Sequence, residues 1–136
     1  MCGFLVVGSE EFKLQEFNDA LDKAAYRGPD HQHISVSNGI TWGFNRLSIM
    51  DLSTNGNQPF VYKDCTLVCN GEIYNYPELK NKLSKEYTFK SGSDCEVLIP
   101  LYDQYGIEIL CKYLDQNKTA YSRKRSNGNS SNVLWL

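Results

Sequence analysis

The chain has 136 residues, of which 41% are hydrophobic and 22% are charged, and its formal net charge at pH 7 is −2. This size fits one soluble domain, and the near-neutral charge argues against a nucleic-acid-binding or polybasic membrane-binding surface. Since no segment approaches the ~18 consecutive apolar residues of a transmembrane helix, we expect neither nucleic acid nor membrane as a partner.

The five cysteines bear on the compartment and on metal binding. An odd count without the spacing of a disulfide framework favours a reducing compartment, so we expect a cytoplasmic protein. Cys65 and Cys69 could suggest a metal site, but no second pair accompanies them, and His31 and His33 are distant in the sequence. Residues four apart on a strand share a face, so we interpret this pair as small buried side chains and expect no metal.

The first third of the chain predicts a strand, a helix and a hairpin. Residues 4–7 have the pattern of a short buried strand, and a helical spacing of apolar residues begins at Leu14 and ends near Gly28. Residues 34–44 alternate between apolar and polar on either side of Asn38-Gly39. Because that dipeptide tolerates the positive φ angles of a tight turn, it is a strong hairpin signal.

The middle of the chain predicts a second hairpin and two helical segments. Residues 60–69 have the hairpin pattern, and Pro77 fits the first turn of a helix. Ser93 and Glu96 have the spacing of a capping box. Pro100 then predicts a kink or break, because an interior proline costs a helix ~3 kcal/mol. This order of elements predicts an α+β layered domain.

The last stretch differs in composition. From about Gln116 the sequence is polar, rich in Asn and Ser, and aperiodic until its final VLWL. Little of it could bury enough surface to offset the entropy of ordering. We therefore predict a domain over residues 1–115 and a mostly disordered tail over residues 116–136.

Residues that can carry chemistry fall in short blocks at expected loops and strand ends. These blocks are MCG at 1–3, RGPD at 27–30, RLSIMD at 46–51, NGEIYN at 70–75 and SGSD at 91–94. Each block alone has a simpler interpretation. Asn70-Gly71 could be an ordinary turn, Asp94 a helix cap, and Arg46 a solvated strand residue.

Taken together and in this order, the blocks resemble the glutaminase domain of class II glutamine amidotransferases, most closely that of the asparagine synthetases. The resemblance covers about residues 2–115 and extends to AYRGPD, NRLSIMDLSTNGNQP and SGSDCEVL. It implies the α/β/β/α sandwich of N-terminal-nucleophile hydrolases, here expected to be incomplete at its C-terminal end. The family's synthetase domain, which uses ATP and Mg, has no counterpart in this sequence, so we expect no cofactor in this chain.

The resemblance also implies roles for single residues. Cys2, exposed when Met1 is removed, matches the nucleophile, and Arg46 matches the arginine that holds the α-carboxylate of glutamine. Asn70 and Gly71 match the oxyanion hole and contact the substrate. The other positions that match glutamine-binding residues are Leu47, Ser48, Ile49 and Met50, together with Glu72 and Asp94 at the α-amino end.

These residue types suit the chemistry without the resemblance. A cysteine thiol has a pKa of about 8.5 and an α-amino group one of about 7.7–8.0, so the chain terminus can act as general base. A side-chain amide and a backbone N–H aimed at one point can stabilise an oxyanion, each donor contributing ~3–4 kcal/mol. An arginine for the carboxylate and a carboxylate for the ammonium would select free glutamine.

We therefore expect a glutaminase module that hydrolyses L-glutamine to glutamate and ammonia through a thioester on Cys2. The ammonia would pass to aspartate in a separate synthetase domain or subunit. The alternative is a truncated remnant or an interaction module without turnover.

Overall fold

A computed structural model of the chain describes residues 2–8, 12–37, 39–113, 122–125 and 132–135. Its strands are β1 (Gly3–Val7), β2 (His31–Ser37), β3 (Ile40–Arg46), β4 (Phe60–Tyr62), β5 (Cys65–Val68), β6 (Ser122–Arg125) and β7 (Asn132–Trp135). Its helices are α1 (Leu14–Lys23), α2 (Tyr76–Leu83) and α3 (Leu98–Tyr113), with 3-10 turns at Ala25–Arg27, Thr54–Gly56 and Asp94–Val97. The predicted α+β class is confirmed.

The first sheet has the strand order β1-β3-β2, and both pairings are antiparallel. The predicted hairpin is confirmed, and Gly39 in its turn has a φ of 70°. Helix α1 packs on one face of this sheet through Phe17 and Leu21, which are buried. Gly43 of β3 allows this close approach, because a Cβ there would lie 2.7 Å from Leu21 Cδ2.

The opposite face of the first sheet contacts the second sheet. Alternate residues of β3 point to this face and are buried in one cluster with Val68 of β5; they are Ile40, Trp42 and Phe44. Cys2, Phe4 and Val6 pack against the same cluster. Because alternate strand residues share a face, the start of β1 is held against the end of β5.

The second sheet has the order β4-β5-β7-β6. Strands β4 and β5 are antiparallel, as predicted for the second hairpin, whereas β5 and β7 are parallel. Cys65, Leu67 and Cys69 lie in a second buried cluster with residues of α2 and α3. Along the molecule, α1, the first sheet, the second sheet and the pair α2 and α3 therefore succeed one another.

Two local predictions are wrong. Helix α3 is not interrupted at Pro100, which lies in its first turn, where the missing N–H would have no helical partner. The interruption falls at Gly106, which has a φ of 73°. Ser93 makes no capping hydrogen bond with its side chain, and Glu96 accepts hydrogen bonds from Lys90 and Ser91 instead of completing a capping box.

Within residues 116–136, predicted to be a mostly disordered tail, the structure describes two segments, Ser122–Arg125 and Asn132–Trp135, which form strands β6 and β7. Val, Leu and Trp in β7 favour strands, and β7 pairs with the edge of β5 that β4 leaves open. The remainder of residues 116–136 lies outside the described residues. In the described part, no helix is long and apolar enough to cross a membrane.

Candidate functional site

Cys2 stands immediately before β1 and is half-buried. Its Sγ lies 3.3 Å from the backbone nitrogen of Leu47 and 3.6 Å from the Leu47 carbonyl oxygen. This contact follows from strand pairing. Gly3 pairs with Asn45, and because β1 and β3 are antiparallel, Cys2 before β1 lies beside the residues that follow Asn45. The Nε of Arg27 donates to the Cys2 carbonyl at 3.2 Å, and this bond holds the RGPD loop against the residue that precedes β1.

Arg46 ends β3, and its side chain is buried. Its Nη1 donates to the Ser53 carbonyl at 2.6 Å and to Asn57 Oδ1 at 2.7 Å, and its Nη2 donates to the Asp51 carbonyl. Gly56 lies against the guanidinium, where a Cβ would overlap it. Arginine has five N–H donors. Among the described contacts, Nη1 and Nη2 are engaged and Nε is not.

The residues after Arg46 form a loop that leaves β3. Leu47 and Ser48 are half-buried, and the Ser48 N–H donates to Asp30 Oδ2 at 2.7 Å. The side chains of Ile49 and Met50 are 70% and 44% exposed. The backbone of this loop, more than its apolar side chains, is therefore what faces Cys2.

The NGEIYN block follows β5 directly. Asn70 is half-buried, whereas Gly71 and Glu72 are exposed. Asp94 is buried, and its Oδ2 accepts the backbone N–H of Ile73 at 2.7 Å. This bond fixes the loop after β5 against the turn that carries Asp94.

The predicted burial of Cys65 and Cys69 is confirmed, and Cys95 is buried as well. Burial raises the pKa of Cys65 to about 12. The Sγ atoms of Cys69 and Cys95 are 3.1 Å apart. The hydrogen bond with Cys69, followed by burial, raises the pKa of Cys95 well above its ordinary value. In the described residues, no cluster of His, Cys, Asp or Glu could hold a metal ion.

Besides the bonds of Arg27 Nε with the Cys2 carbonyl and of Asp30 N with the Arg46 carbonyl, four contacts join a side-chain acceptor of one block to a backbone N–H of another. They are Cys2 Sγ to Leu47 N, Ser48 N to Asp30 Oδ2, Gly92 N to Asp51 Oδ2, and Ile73 N to Asp94 Oδ2. Each is 2.7 Å long except the sulfur contact of 3.3 Å. Between the described residues, no hydrogen bond joins Asn70, Gly71 or Glu72 directly to Cys2 or Arg46. The blocks therefore meet where a side chain of one block accepts a backbone N–H of another.

Sequence reasoning overlooked several residues that position this region. Asp30 and Asp51 end their blocks, and each carboxylate accepts the N–H of another block. Gln58 is buried, and its amide bonds both the nitrogen of Cys69, at 2.6 Å, and its carbonyl, at 3.1 Å. Each aspartate is the last residue of a sequence block, and this position could have indicated that it bonds another block. A lone glutamine in a loop carries no such signal.

Comparisons with known proteins identify the family to which the chain belongs. The family model of the glutamine amidotransferase domain matches residues 1–115. A glutamine-hydrolysing asparagine synthetase 2 of Bacillus subtilis is 44% identical over 73% of this chain, and a probable asparagine synthetase of Acanthamoeba polyphaga mimivirus is 42% identical over 85%. A protein named amidase chry2 of Gibberella zeae is 39% identical over 76%.

The chain spans only part of these relatives: 13% of the Bacillus protein, 22% of the mimivirus protein and 16% of the Gibberella protein. The matched portion is the portion that contains all five sequence blocks, since the family match ends at residue 115. The resemblance expected from the sequence is thus confirmed, and the chain belongs to the glutamine amidotransferase domain family.

Proposed function

We propose that this chain is a glutaminase module of asparagine synthetase type that hydrolyses L-glutamine to glutamate and ammonia. The observation that carries the proposal is the contact of Cys2 Sγ with the Leu47 N–H at 3.3 Å. This contact brings the thiol of the MCG block beside the loop that follows Arg46. Family membership supports the reaction class.

The proposed reaction has two halves. In the first, the α-amine of Cys2, freed when Met1 is removed, takes the thiol proton, and the sulfur attacks the side-chain amide carbon of glutamine. The carbon–nitrogen bond breaks, and the amine returns the proton to the leaving nitrogen, which departs as ammonia. In the second, water attacks the γ-glutamyl thioester, which releases glutamate and regenerates the thiol.

Charge on the tetrahedral intermediate would be stabilised by the side-chain amide of Asn70 and the backbone N–H of Gly71. Asn70 is half-buried and Gly71 is exposed, so both are open to a ligand. Each such donor contributes ~3–4 kcal/mol when it is aimed at the developing oxyanion. The Leu47 N–H that faces Cys2 Sγ would stabilise the thiolate before attack.

Recognition of free glutamine would use two ends of the site, one formed by Arg46 for the α-carboxylate and one formed by Asp94 and Glu72 for the α-ammonium group. The Nε and Nη2 edge of Arg46 suits a bidentate carboxylate, and the loop bonds of the guanidinium hold it in one orientation. The carboxylates of Asp94 and Glu72 would accept the α-ammonium group. Leu47, Ser48, Ile49 and Met50 would line the substrate through their backbone.

We assign the N-terminal-nucleophile sandwich to residues 1–115, supported by the succession of α1, two sheets, and α2 with α3. The ammonia acceptor would lie in the synthetase part of a longer protein or in a partner subunit, with aspartate as its substrate. Four free cysteines among the described residues suit the reducing cytoplasm.

The test is steady-state release of glutamate from L-glutamine by the purified chain, with the loss of Met1 verified by intact mass. We expect turnover by the processed chain and none by Cys2→Ala. A chain with one alanine added before Cys2 retains the thiol but has no free amine on it, and should lose at least about 100-fold in kcat, in line with the contribution of a general base.

Equal rates for the processed chain and for Cys2→Ala would refute the enzymatic proposal and favour the alternative of a module without turnover. Both variants must melt at the temperature of the parent chain, since a loss of folding would remove activity for another reason. Turnover in the chain with the added alanine would keep Cys2 as nucleophile but remove its amine from the mechanism.

A further inference from the structure

Asp51 connects two loops of the candidate site. Its Oδ2 accepts the backbone N–H of Gly92 at 2.7 Å, and its Oδ1 accepts the N–H of Ser53 at 2.8 Å. Its own carbonyl accepts an N–H of the Arg46 guanidinium. One residue therefore contacts both the arginine proposed for the α-carboxylate and the loop that leads into Asp94.

The loop that supplies Gly92 is firmly anchored. Glu96 is only 2% exposed, and its carboxylate accepts the Ser91 N–H at 2.8 Å, the Ser91 hydroxyl at 2.5 Å and the Lys90 N–H at 2.9 Å. On the other side of Gly92, Asp94 is bonded to Ile73. Gly92 thus lies between two fixed residues, and its N–H is a donor in a defined place.

The loop that carries Asp51 is held on one side by the Arg46 guanidinium, which donates to Asp51, Ser53 and Asn57. Leu52 is 84% exposed, and the residues from Ser53 to Asn55 are exposed as well. An exposed loop without buried apolar contacts retains much of its conformational freedom unless polar contacts restrict it. The bond from Asp51 to Gly92 is the described hydrogen bond that ties this loop to the 91–94 loop.

We propose that Asp51 is a positioning residue that sets the separation between Arg46 and Asp94, and thereby restricts the site to substrates that carry both an α-carboxylate and an α-ammonium group. This inference rests on the proposed function, because it assigns those two residues to the two ends of glutamine. Asp51 itself need not touch the substrate.

A positioning role differs from a merely stabilising role in its effect on analogues. Glutaramate has the amide and the carboxylate of glutamine but no amine, and 4-aminobutanamide has the amide and the amine but no carboxylate. Each needs one end of the site, so a changed separation between the ends should cost them little. Glutamine must satisfy both ends at once, and a misplacement of about 1 Å can cost on the order of 100-fold.

The experiment compares Asp51→Asn and Asp51→Glu with the parent chain, and uses Asp64→Asn as the matched control. Asp64 is an exposed aspartate in the turn between β4 and β5, away from these loops. For Asp51→Asn we expect kcat/KM for glutamine to fall about 10- to 100-fold, mainly through KM, with changes below about 3-fold for the two analogues. Asp51→Glu retains the charge, so its loss for glutamine should be smaller.

A second readout separates this inference from the proposed function. Glutamine affinity is measured by calorimetry in Cys2→Ala, with and without Asp51→Asn, so that no turnover is needed. Weaker glutamine binding in the double variant supports the inference even if the parent chain hydrolyses nothing. Equal losses for all three substrates, or unchanged glutamine affinity, would overturn it while leaving the hydrolysis proposal intact. If Asp51→Asn does not fold, the same criteria apply to Asp51→Glu.

Discussion

The Sγ of Cys2 lies 3.3 Å from the backbone nitrogen of Leu47, although 45 positions separate the two residues in the chain. The antiparallel pairing of β1 with β3 produces this contact, because it sets Gly3 opposite Asn45. The residue before one strand and the residues after the other then meet at the same end of the sheet. The strand pairing therefore locates the proposed nucleophile, and Cys2 stays half-buried.

The first prediction concerns thiol reactivity. At about pH 7.5, iodoacetamide should modify Cys2 first and leave Cys65 and Cys95 intact in the native chain. The pKa of Cys65 is raised from 9.0 to about 12, which lowers its thiolate fraction about a thousandfold. Peptide mass spectrometry at increasing times gives the order of modification.

The control for this prediction is the urea-unfolded chain, in which burial no longer acts and the cysteines should react at similar rates. Native modification of Cys65 or Cys95 as early as that of Cys2 would contradict the burial on which the prediction rests. Cys111, whose side chain lies outside the described part of the structure, is followed in the same digest without an expected rank.

The second prediction concerns the close approach of Gly28 to β3. A Cβ at this position would overlap the Asn45 carbonyl and lie 2.6 Å from the carbonyl carbon of Arg46. Backbone atoms cannot move aside as side chains do, so Gly28→Ala should lower the free energy of unfolding by about 1–3 kcal/mol. Urea unfolding followed by circular dichroism measures the change.

Gly3→Ala is the matched control for Gly28→Ala. A Cβ at Gly3 would have its nearest neighbours at 3.5 Å, which is ordinary van der Waals contact. Its unfolding free energy should stay within about 0.5 kcal/mol of the parent value. Equal destabilisation by the two alanines would mean that the close contact of Gly28 with β3 does not cause the destabilisation by Gly28→Ala.

The third prediction concerns the buried carboxylate of Glu96. It accepts hydrogen bonds from the Tyr87 hydroxyl and from the backbone of Lys90 and Ser91. In Glu96→Gln, an NH₂ group replaces one carboxylate oxygen and cannot accept the hydrogen bonds that are donated to that oxygen. We therefore expect a loss of about 2–3 kcal/mol in unfolding free energy. Glu78→Gln, at an exposed position in α2, is the control and should change it little.

The fourth prediction is a pH dependence. Hydrogen bonds from the Ser53 side chain and from the N–H groups of Gly92 and Ser53 hold the pKa of Asp51 below its ordinary value of 3.8. A carboxyl whose pKa is lower in the folded chain stabilises it above the unfolded pKa, and this contribution disappears as pH falls through the folded pKa.

The stability difference between the parent chain and Asp51→Asn should therefore be constant from about pH 7 to about pH 5 and shrink only below about pH 3.8. Thermal unfolding at a series of pH values provides the measurement. A difference that already vanishes between pH 7 and pH 5 would show that the carboxylate of Asp51 is not held in its charged form by these bonds.

Much of the local structure was predictable because short-range patterns specify it. The hairpin around Gly39, the strand at 4–7 and the helix at Pro77 all follow from periodicity and turn residues. The errors at Pro100 and Glu96 share one cause. Proline is tolerated in a first helical turn, and a carboxylate binds whichever donors the tertiary structure brings near, so spacing alone could not decide either position.

The sequence by itself determined the family, because blocks such as RGPD and NGEIYN occur in a fixed order and wording that composition alone would not produce. Only the tertiary structure decided how those blocks meet. The contacts of Cys2 with Leu47 and of Asp51 with Gly92 join residues more than 40 positions apart. Such contacts depend on strand pairing and on backbone donors, which every residue except proline carries, and so no side-chain pattern announces them.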